Sequence, residues 1–441
     1  MSKKRPGSFS NPDLRRQVQL TTPPVEAIER QLYSLLSPES FKPLKDCLGK
    51  DNKKLRSRVL TLPVMMAVVV SLVYRRIPSL RELNRVLAQF GLMWVNPCIV
   101  SVEALSKRLQ TLPLDLFVEV FNQVTERLRL KRATLPMPAP WKAVNEQFDA
   151  IWIADGSTLE ELRKKLKSLQ ERGTVLGGKM MVLVEAFTHQ PVNIWYTSDA
   201  KANDKTFTEQ LLSALPPGGL LIFDLGFFKF PWFDEFTESG KFFVTRLRAK
   251  TTYKVCRRLS QSTYYSDEII EMGQYRSNPC RHKVRLVSVL WGKNWYYYLT
   301  NVLDPNQLSA QQVCELYRRR WRIEDAFLLT KRLLGLAYLW VGDTNGVQIQ
   351  IVATWIFYAV LTQVCNEVAV ALNQPIERIS VEMVFRAFYH FSQALLRGQA
   401  SDLVSYLVEH HKLLGLVKAV RKRHRERDAI SEQVWAATSL S

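Results

Sequence analysis

The chain has 441 residues, 47% of them hydrophobic, which is enough to bury a core in one large or two to three ordinary domains. It carries 61 basic and 41 acidic residues, and this net charge of +20 points first to nucleic acid and second to an acidic membrane surface. The six cysteines show no CxxC spacing, which argues against a zinc site and indicates reduced, mostly buried thiols in a cytosolic protein. The scattered histidines form no pattern typical of a metal site or a catalytic triad.

The N-terminal part of the chain predicts helices. Residues 1 to about 20 are basic but lack an apolar core, so they predict a loose arm and not a signal peptide. Helices are predicted at 25–36, 55–74, 79–90, 101–111 and 114–131. The third and fourth have helix–turn–helix spacing, with Lys107 and Arg108 on the second of the pair, which suits DNA docking. A plain helical bundle fits the same pattern about as well.

The middle of the chain changes to strands after a proline-rich stretch, 133–147, that predicts a linker. Apolar runs beginning near 150, 179, 192, 220 and 241 predict strands, with helices near 204–215 and 231–239. Three strands, helix, strand, helix, strand is the order of an RNase H-like α/β core. Residues 241–308 fit a β-rich insertion into that core.

Two aspartates follow apolar strands in this region. Asp155 comes after the run from Ala150, and Asp224 after the run from Leu220. Sites gather at strand ends in α/β folds. Taken singly, each aspartate is better explained as a turn residue before a glycine.

A long helical run is predicted from about Ser309 to Leu336. At 100° per residue, Tyr317, Arg320, Glu324 and Lys331 fall within about 60° of each other on one stripe between two apolar ones. A solvated face with an Arg320–Glu324 pair is the ordinary explanation. A stripe between apolar stripes instead predicts a buried carboxylate, which needs cations or a metal.

The C-terminal part is predicted to be helical again. The apolar stretch from Val347 to Leu372 is interrupted by polar residues, so it predicts a buried helix of a soluble domain and not a membrane span. The basic run that begins at Lys418 could hold DNA, although a solvated tail is the default.

The three acids together carry more information than each alone. Asp155, Asp224 and Glu324, on two strand ends and one helix, form the oxygen ligand set for two Mg²⁺ ions. Two such ions can stabilise the attacking and leaving oxygens of an in-line phosphoryl displacement.

The helical stripe matches a known signature, Y-x2-R-x3-E-x6-K, at all four positions. Asp155-Gly156-Ser157 and Asp224-Leu225-Gly226-Phe227-Phe228 resemble the motifs around the first two acids of the same family. Over about residues 148–365 the chain therefore resembles the DDE transposases of bacterial insertion sequences, in the group with this signature.

The resemblance implies roles for the site residues. Asp155, Asp224 and Glu324 would hold two Mg²⁺ ions, with Mn²⁺ able to substitute. Water would cut the strand, and the freed 3′-OH would attack target DNA. Three further residues of the signature would grip phosphates at the transposon end: Tyr317, Arg320 and Lys331.

The insertion adds three DNA-binding candidates. Trp295 occupies the place of a tryptophan that stacks on a flipped base in similar insertions, and a core tryptophan is an equal alternative. Arg246 and Arg248 end a core strand and could contact phosphates, although a solvated strand end fits as well.

The implied organisation has four parts: a helical DNA-binding domain at 1–132, the linker at 133–147, the catalytic core at 148–345 and a helical region with a basic tail at 346–441. The expected partners are transposon ends and target DNA, with a homodimer on paired ends, no membrane and no nucleotide cofactor. The expected place is the cytoplasm, on the nucleoid. A metal-dependent nuclease without strand transfer and an inactive DNA-binding derivative stay open as alternatives.

Overall fold

The computed structural model of the protein describes these residues: 26–36, 41, 59–132, 137, 139–159, 178–336, 339–419 and 434–435. The predicted basic arm and most of the basic tail lie outside them. The chain divides into two compact units. The first combines residues 1–129, 328–364 and 381–414, and the second combines 130–327, 365–380 and 415–441.

The first unit contains the predicted N-terminal helices. They are α1 (Glu26–Leu36), α2 (Leu62–Tyr74), α3 (Leu80–Phe90), α4 (Val102–Thr111) and the start of α5 (Leu114–Arg132). The Ser79 side chain accepts a hydrogen bond from the Glu82 N–H and so begins α3 as predicted. In α4, Lys107 is exposed, but Arg108 donates from Nε to the Leu60 carbonyl at 3.0 Å. Arg108 is therefore engaged within the protein.

The second unit contains a single nine-stranded sheet. Its strands are β1 (Ile151–Thr158), β2 (Lys179–Glu185), β3 (Pro191–Thr197), β4 (Leu220–Ile222), β5 (Phe242–Arg246), β6 (Tyr253–Gln261), β7 (Tyr265–Met272), β8 (Val284–Trp291) and β9 (Asn294–Thr300). The strand order is β3-β2-β1-β4-β5-β9-β8-β7-β6. The β1–β4 and β4–β5 pairs are parallel, and all other pairs are antiparallel. The predicted α/β class is confirmed, and the first five strands and their two intervening helical segments follow one another along the chain as predicted.

Further helices lie between and beside these strands. The predicted linker contains α6 (Ala139–Glu146), where Trp141 and Val144 are buried, so an amphipathic helix replaces the expected loop there. Helix α7 (Thr208–Ala214) precedes β4, and α8 (Phe230–Glu238) follows it. An aromatic core lies beneath them, because Phe223 contacts Trp232 of α8 and Phe243 of β5.

The insertion strands β6 to β9 extend the core sheet, because β9 pairs with β5. A fully buried ion pair joins β7 and β8: Arg285 donates from Nε and Nη2 to the two carboxylate oxygens of Asp267 at 2.7 and 2.6 Å. Arg285 also donates from Nη1 to the Leu308 carbonyl at 2.6 Å. The next residue, Ser309, begins a helix with a capping box to Gln312. Arg285 therefore fixes the start of that helix against the sheet.

The single helical run predicted from about 309 to 336 is wrong in its continuity. Helix α9 (Ala310–Arg319) and helix α10 (Trp321–Leu328) meet at Arg320, and a π-helical turn, Leu329–Leu333, follows. At the junction, the Arg320 N–H bonds the Tyr317 carbonyl, three residues back, which is tighter than α-helical spacing. The side-chain directions from Tyr317 to Lys331 therefore depart from the ideal rotation of 100° per residue.

The C-terminal helices are α11 (Thr344–Ala371), α12 (Val381–Leu396) and α13 (Leu403–Glu409). Helix α11 is long and apolar enough to cross a membrane, but 94% of its most apolar window is buried within the protein. Within the first unit, the Asn345 side-chain amide donates to the carbonyls of Leu109 and Leu112 and anchors the start of α11. The five cysteines among the described residues are free thiols.

Candidate active site

Asp155 lies inside β1 and not at its end. The parallel pairing with β4 stops at Ile153, but β1 continues to Thr158 because it keeps its antiparallel partner β2. Asp155 thus comes two residues after the point where β4 leaves β1. Its side chain is 14% exposed, and Oδ1 accepts a hydrogen bond from the Gly156 N–H at 2.9 Å.

Asp224 comes one residue after Phe223, which follows the end of β4 at Ile222, so it lies just beyond the strand as the sequence predicts. Its Oδ1 accepts a hydrogen bond from the Gly226 N–H at 2.7 Å, which caps a short 3-10 turn, Leu225–Phe227. Phe227 at the end of this turn is fully buried in the aromatic core. Phe227 therefore anchors the turn in the core, and this fixes the position of the Asp224 carboxylate at the start of the turn.

Arg320 brings two of the three predicted acids together. Its Nη1 lies 3.0 Å from Asp155 Oδ2, and its Nη2 lies 3.0 Å from Glu324 Oε1. Arg320 is 6% exposed, and its guanidinium also stacks over the Trp321 ring, 4.9 Å from the centroid. Its Nε is buried and has no hydrogen-bond partner among the described residues. A buried guanidinium whose Nε–H has no partner among these residues is suited to a further oxygen ligand.

Glu324 is not the buried carboxylate that the stripe predicts. Its side chain is 44% exposed, and the flanking Trp321 and Leu328 are 59% and 46% exposed. The flank formed by Trp321 and Leu328 lies on the surface, so only one of the two predicted apolar stripes is buried. Glu324 therefore faces solvent on one side and Arg320 on the other.

Asp155 is the titratable group that this environment perturbs most clearly. Burial raises the pKa of Asp155 to about 7 against the opposing effect of Arg320, and the negative charges of Asp224 and Asp204 raise it further. Burial also raises the pKa of Tyr317, while Arg320 and Arg246 act to lower it and Asp224 to raise it. These residues therefore share one electrostatic environment.

The remaining predicted DNA-binding residues lie in different places. Tyr317 is buried, 5.3 Å from the ring of Tyr298, and Arg246 lies over the Tyr296 ring at 5.7 Å. Trp295 is 43% exposed, so the alternative of a core tryptophan is wrong. Lys331 lies in the π-helical turn, which belongs to the first unit.

A basic groove of about 520 Å³ lies in the second unit, and sequence reasoning found only one of its residues, Arg248. The floor includes the buried rings of Phe228 and Phe230. Its lining contains no acidic residue and five cations: Lys205, Lys229, Arg248, Lys250 and Arg276. The sequence signal was weak, because these cations come from four separate segments.

The acids suit a hard divalent cation by chemistry, since such cations prefer carboxylate oxygens. The raised pKa of Asp155 marks an excess of negative charge that a cation would relieve. In this conformation, however, no three acidic, histidine or cysteine side chains of the described residues lie close enough to hold one ion. Arg320 instead contacts both Asp155 and Glu324. Asp155, Asp224 and Glu324 could hold metal once Arg320 no longer contacts Asp155 and Glu324.

A stability prediction follows from Arg320. Replacing Arg320 with Met leaves Asp155 buried without its cation, which for an ionised group costs about 3–5 kcal/mol. Because the pKa of Asp155 is about 7, its proton removes that charge at low pH. The Arg320→Met variant should therefore be close to wild type at pH 5 and clearly less stable at pH 8.5, in denaturant unfolding with EDTA present.

A control is Arg85→Met, since the side chain of Arg85 is 72% exposed and its pair with Glu82 lies on a helix surface. It should change stability little at either pH. In an Asp155→Asn background, the pH dependence of the Arg320→Met penalty should disappear. A penalty equal at both pH values would contradict the coupling to Asp155.

Comparisons with known proteins find transposases among the relatives of this chain. Residues 147–359 match the family model described as a transposase DDE domain. A probable transposase for insertion sequence element IS5377 of Geobacillus stearothermophilus is 24% identical over 70% of this chain and 78% of that protein. The transposase for insertion sequence element IS231B of Bacillus thuringiensis subsp. berliner is 26% identical over 35% of this chain and 32% of that protein.

One solved structure, a piggyBac transposase synaptic complex with hairpin DNA, aligns with 92% of this chain and 81% of that chain. Its TM-score is 0.36 and its sequence identity 11%, so it supports no argument here. The family match spans the strands and helices that carry all three acids. The chain belongs to the DDE-type transposases of insertion sequences.

Proposed function

We propose that the protein binds the two ends of its own insertion sequence, cleaves the DNA there and joins the freed 3′-OH ends to target DNA. One observation carries this proposal: Asp155, Asp224 and the Arg320–Glu324 pair, from three separated parts of the sequence, share one electrostatic site. Perturbed acids with a cation beside them are typical of functional sites.

We propose that the core is RNase H-like. The first five strands have the order β3-β2-β1-β4-β5, with three antiparallel strands followed by two parallel ones. That order supports the proposal, and so does the position of two acids on neighbouring central strands, β1 and β4. The β6–β9 strands then form the insertion between the second acid and Glu324.

The chemistry depends on Asp155, Asp224 and Glu324 as ligands. Two divalent cations, when bound, would stabilise the charge on the scissile phosphate and assist deprotonation of the attacking hydroxyl. Arg320 would then move from the carboxylates to a phosphate oxygen, for which its unpartnered Nε provides a donor. Tyr317, packed beside Arg320, would orient the same phosphate.

The grip on DNA would come from cations around this site. Arg246 lies near Tyr317, and Arg248 belongs to the basic groove. We propose that the groove binds the sugar–phosphate backbone next to the cleavage site, because it offers five cations and no acid. Trp295 is exposed and could stack on an unpaired base. Lys331 is proposed as a phosphate ligand on the Y-R-E-K signature alone.

The organisation of the whole protein is part of the proposal. Residues 1–132 would bind DNA, 148–345 would form the catalytic core and 346–441 would add a helical region with a basic tail. The protein would act on the bacterial nucleoid in the cytoplasm and pair as a homodimer on two transposon ends. This pairing would place one catalytic site at each end.

The first functional test removes each acid. Asp155→Ala, Asp224→Ala and Glu324→Ala should each abolish cleavage of an end duplex in Mg²⁺ while end binding in a gel shift survives, because the carboxylates hold metal and not DNA. Asp325→Ala, an exposed acid next to Glu324, is the matched control and should cleave normally. EDTA should stop the wild type.

The same assay separates the alternatives. Near-normal cleavage by any of the three alanine variants would show that this residue is wrongly assigned. A wild type that cleaves but never joins the 3′-OH to a second duplex would be a nuclease. A wild type that binds ends but does not cleave in Mg²⁺ or Mn²⁺ would be an inactive derivative.

The second test concerns the basic groove. The Lys229→Glu/Lys250→Glu variant should bind end DNA at least ten-fold more weakly than wild type, and its log Kd should depend less steeply on log salt concentration by about two. Lys142→Glu/Lys412→Glu changes the net charge equally at exposed positions outside the groove. If both variants lose the same affinity and slope, only overall charge matters and the groove is not a DNA site.

A further inference from the structure

A fourth carboxylate, Asp204, lies between the two segments that carry Asp155 and Asp224. A Cβ atom added to Gly156 would come 2.2 Å from Asp204 Oδ1, and one added to Gly226 would come 3.0 Å from Oδ2. Neither glycine has a positive φ. Glycine is therefore required at 156 by the space that the Asp204 carboxylate takes, and at 226 by the carboxylates of Asp224 and Asp204 together, at 2.9 and 3.0 Å, and not by backbone strain.

Lys179 fixes this carboxylate from the sheet. Its Nζ lies 2.6 Å from Asp204 Oδ1 and donates a hydrogen bond to the Ala202 carbonyl at 2.9 Å. Lys179 is the first residue of β2 and pairs with Thr158 of β1, the strand that holds Asp155. The side chains of Lys179 and Asp204 are 10% and 23% exposed, so water screens this ion pair poorly.

An ordinary explanation for Asp204 is that it favours the positive end of a helix. It is the first residue of a 3-10 turn, Asp204–Phe207, that leads into α7. However, the side chain of Asn203 already caps this turn. The Asp204 oxygens lie instead against the two glycines and Lys179, away from the turn. Helix capping therefore does not account for where this carboxylate sits.

We propose that Asp204, held by Lys179, is a positioning residue that sets the separation of Asp155 and Asp224 for binding divalent cations. This inference rests on the proposed function of those two acids. A carboxylate in contact with both glycine segments keeps them apart by its size, and the ion pair keeps the carboxylate in place. The carboxylate of Asp204, close to both glycine segments, also adds negative charge that attracts a cation.

The test measures Mn²⁺ binding to the DNA-free protein by electron paramagnetic resonance, beside cleavage of the end duplex. Asp204→Ala and Lys179→Met should each weaken Mn²⁺ binding at least ten-fold and lower kcat more than they raise KM for DNA. Asp204→Asn, which keeps the shape without the charge, should restore part of the affinity. Asp199→Ala removes an exposed carboxylate from the same loop and should match wild type.

A second measurement does not depend on activity. Gly156→Ala should lower the melting temperature by more in wild type than in the Asp204→Ala background, because its Cβ meets Asp204 Oδ1. Wild-type Mn²⁺ affinity in Asp204→Ala, or an equal effect of Gly156→Ala in both backgrounds, would overturn the positioning role. If replacing Asp155 and Asp224 with Ala leaves Mn²⁺ binding unchanged, these acids are not metal ligands and the proposed function itself is wrong.

Discussion

The site depends on one buried guanidinium between two carboxylates. Arg320 contacts Asp155, which lies 165 residues earlier in the chain, and Glu324, one helical turn later. An unpaired buried charge is costly, so a guanidinium that is 6% exposed needs both partners. The same contacts occupy oxygens of Asp155 and Glu324, two of the proposed metal ligands, which would otherwise be available to a cation. Arg320 therefore stabilises the protein in this state, and under the proposed function it would have to change partners before metal and DNA bind together.

Other elements of the second unit determine where Asp155 and Arg320 meet. Asp224 is held above the aromatic core through Phe227, and Asp155 lies on the neighbouring strand where β4 and β1 separate. In the insertion, Arg285 donates to the Leu308 carbonyl and fixes the start of α9. The insertion sheet thereby orients the helices that carry Arg320 and Glu324. The β-rich insertion is thus a support of the proposed catalytic core as well as a candidate DNA surface.

The sequence predicted the local elements well because apolar periodicity and caps decide them. The order of strands and helices along the chain up to β5 and the capped start of α3 follow from the sequence pattern. The interruption at Arg320 was not predicted, because Arg320 keeps helical φ and ψ and only its hydrogen bond to Tyr317 tightens. The exposure of Glu324 was not predicted either, because Trp321 and Leu328 lie on the surface and not in the core.

Other features depend on contacts that no local pattern shows. Asp204 lies in a polar segment, and its role becomes visible only when Gly156 and Gly226 are close in space. The basic groove gathers cations from four segments that are far apart in sequence. In both cases the residue types were ordinary, and only the fold brought them together.

Asp155, Asp224 and Glu324 are proposed to surround the two divalent cations together, and localised cleavage of the polypeptide tests this most directly. Fe²⁺, substituted for Mg²⁺ on the DNA-bound protein with ascorbate and peroxide, generates hydroxyl radicals that cut the polypeptide next to the bound ion. Cuts near all three acids, reduced by excess Mg²⁺ and lost in Asp155→Ala, are the result that a shared site predicts. Cuts near one acid alone, or at positions unrelated to the three, would contradict it.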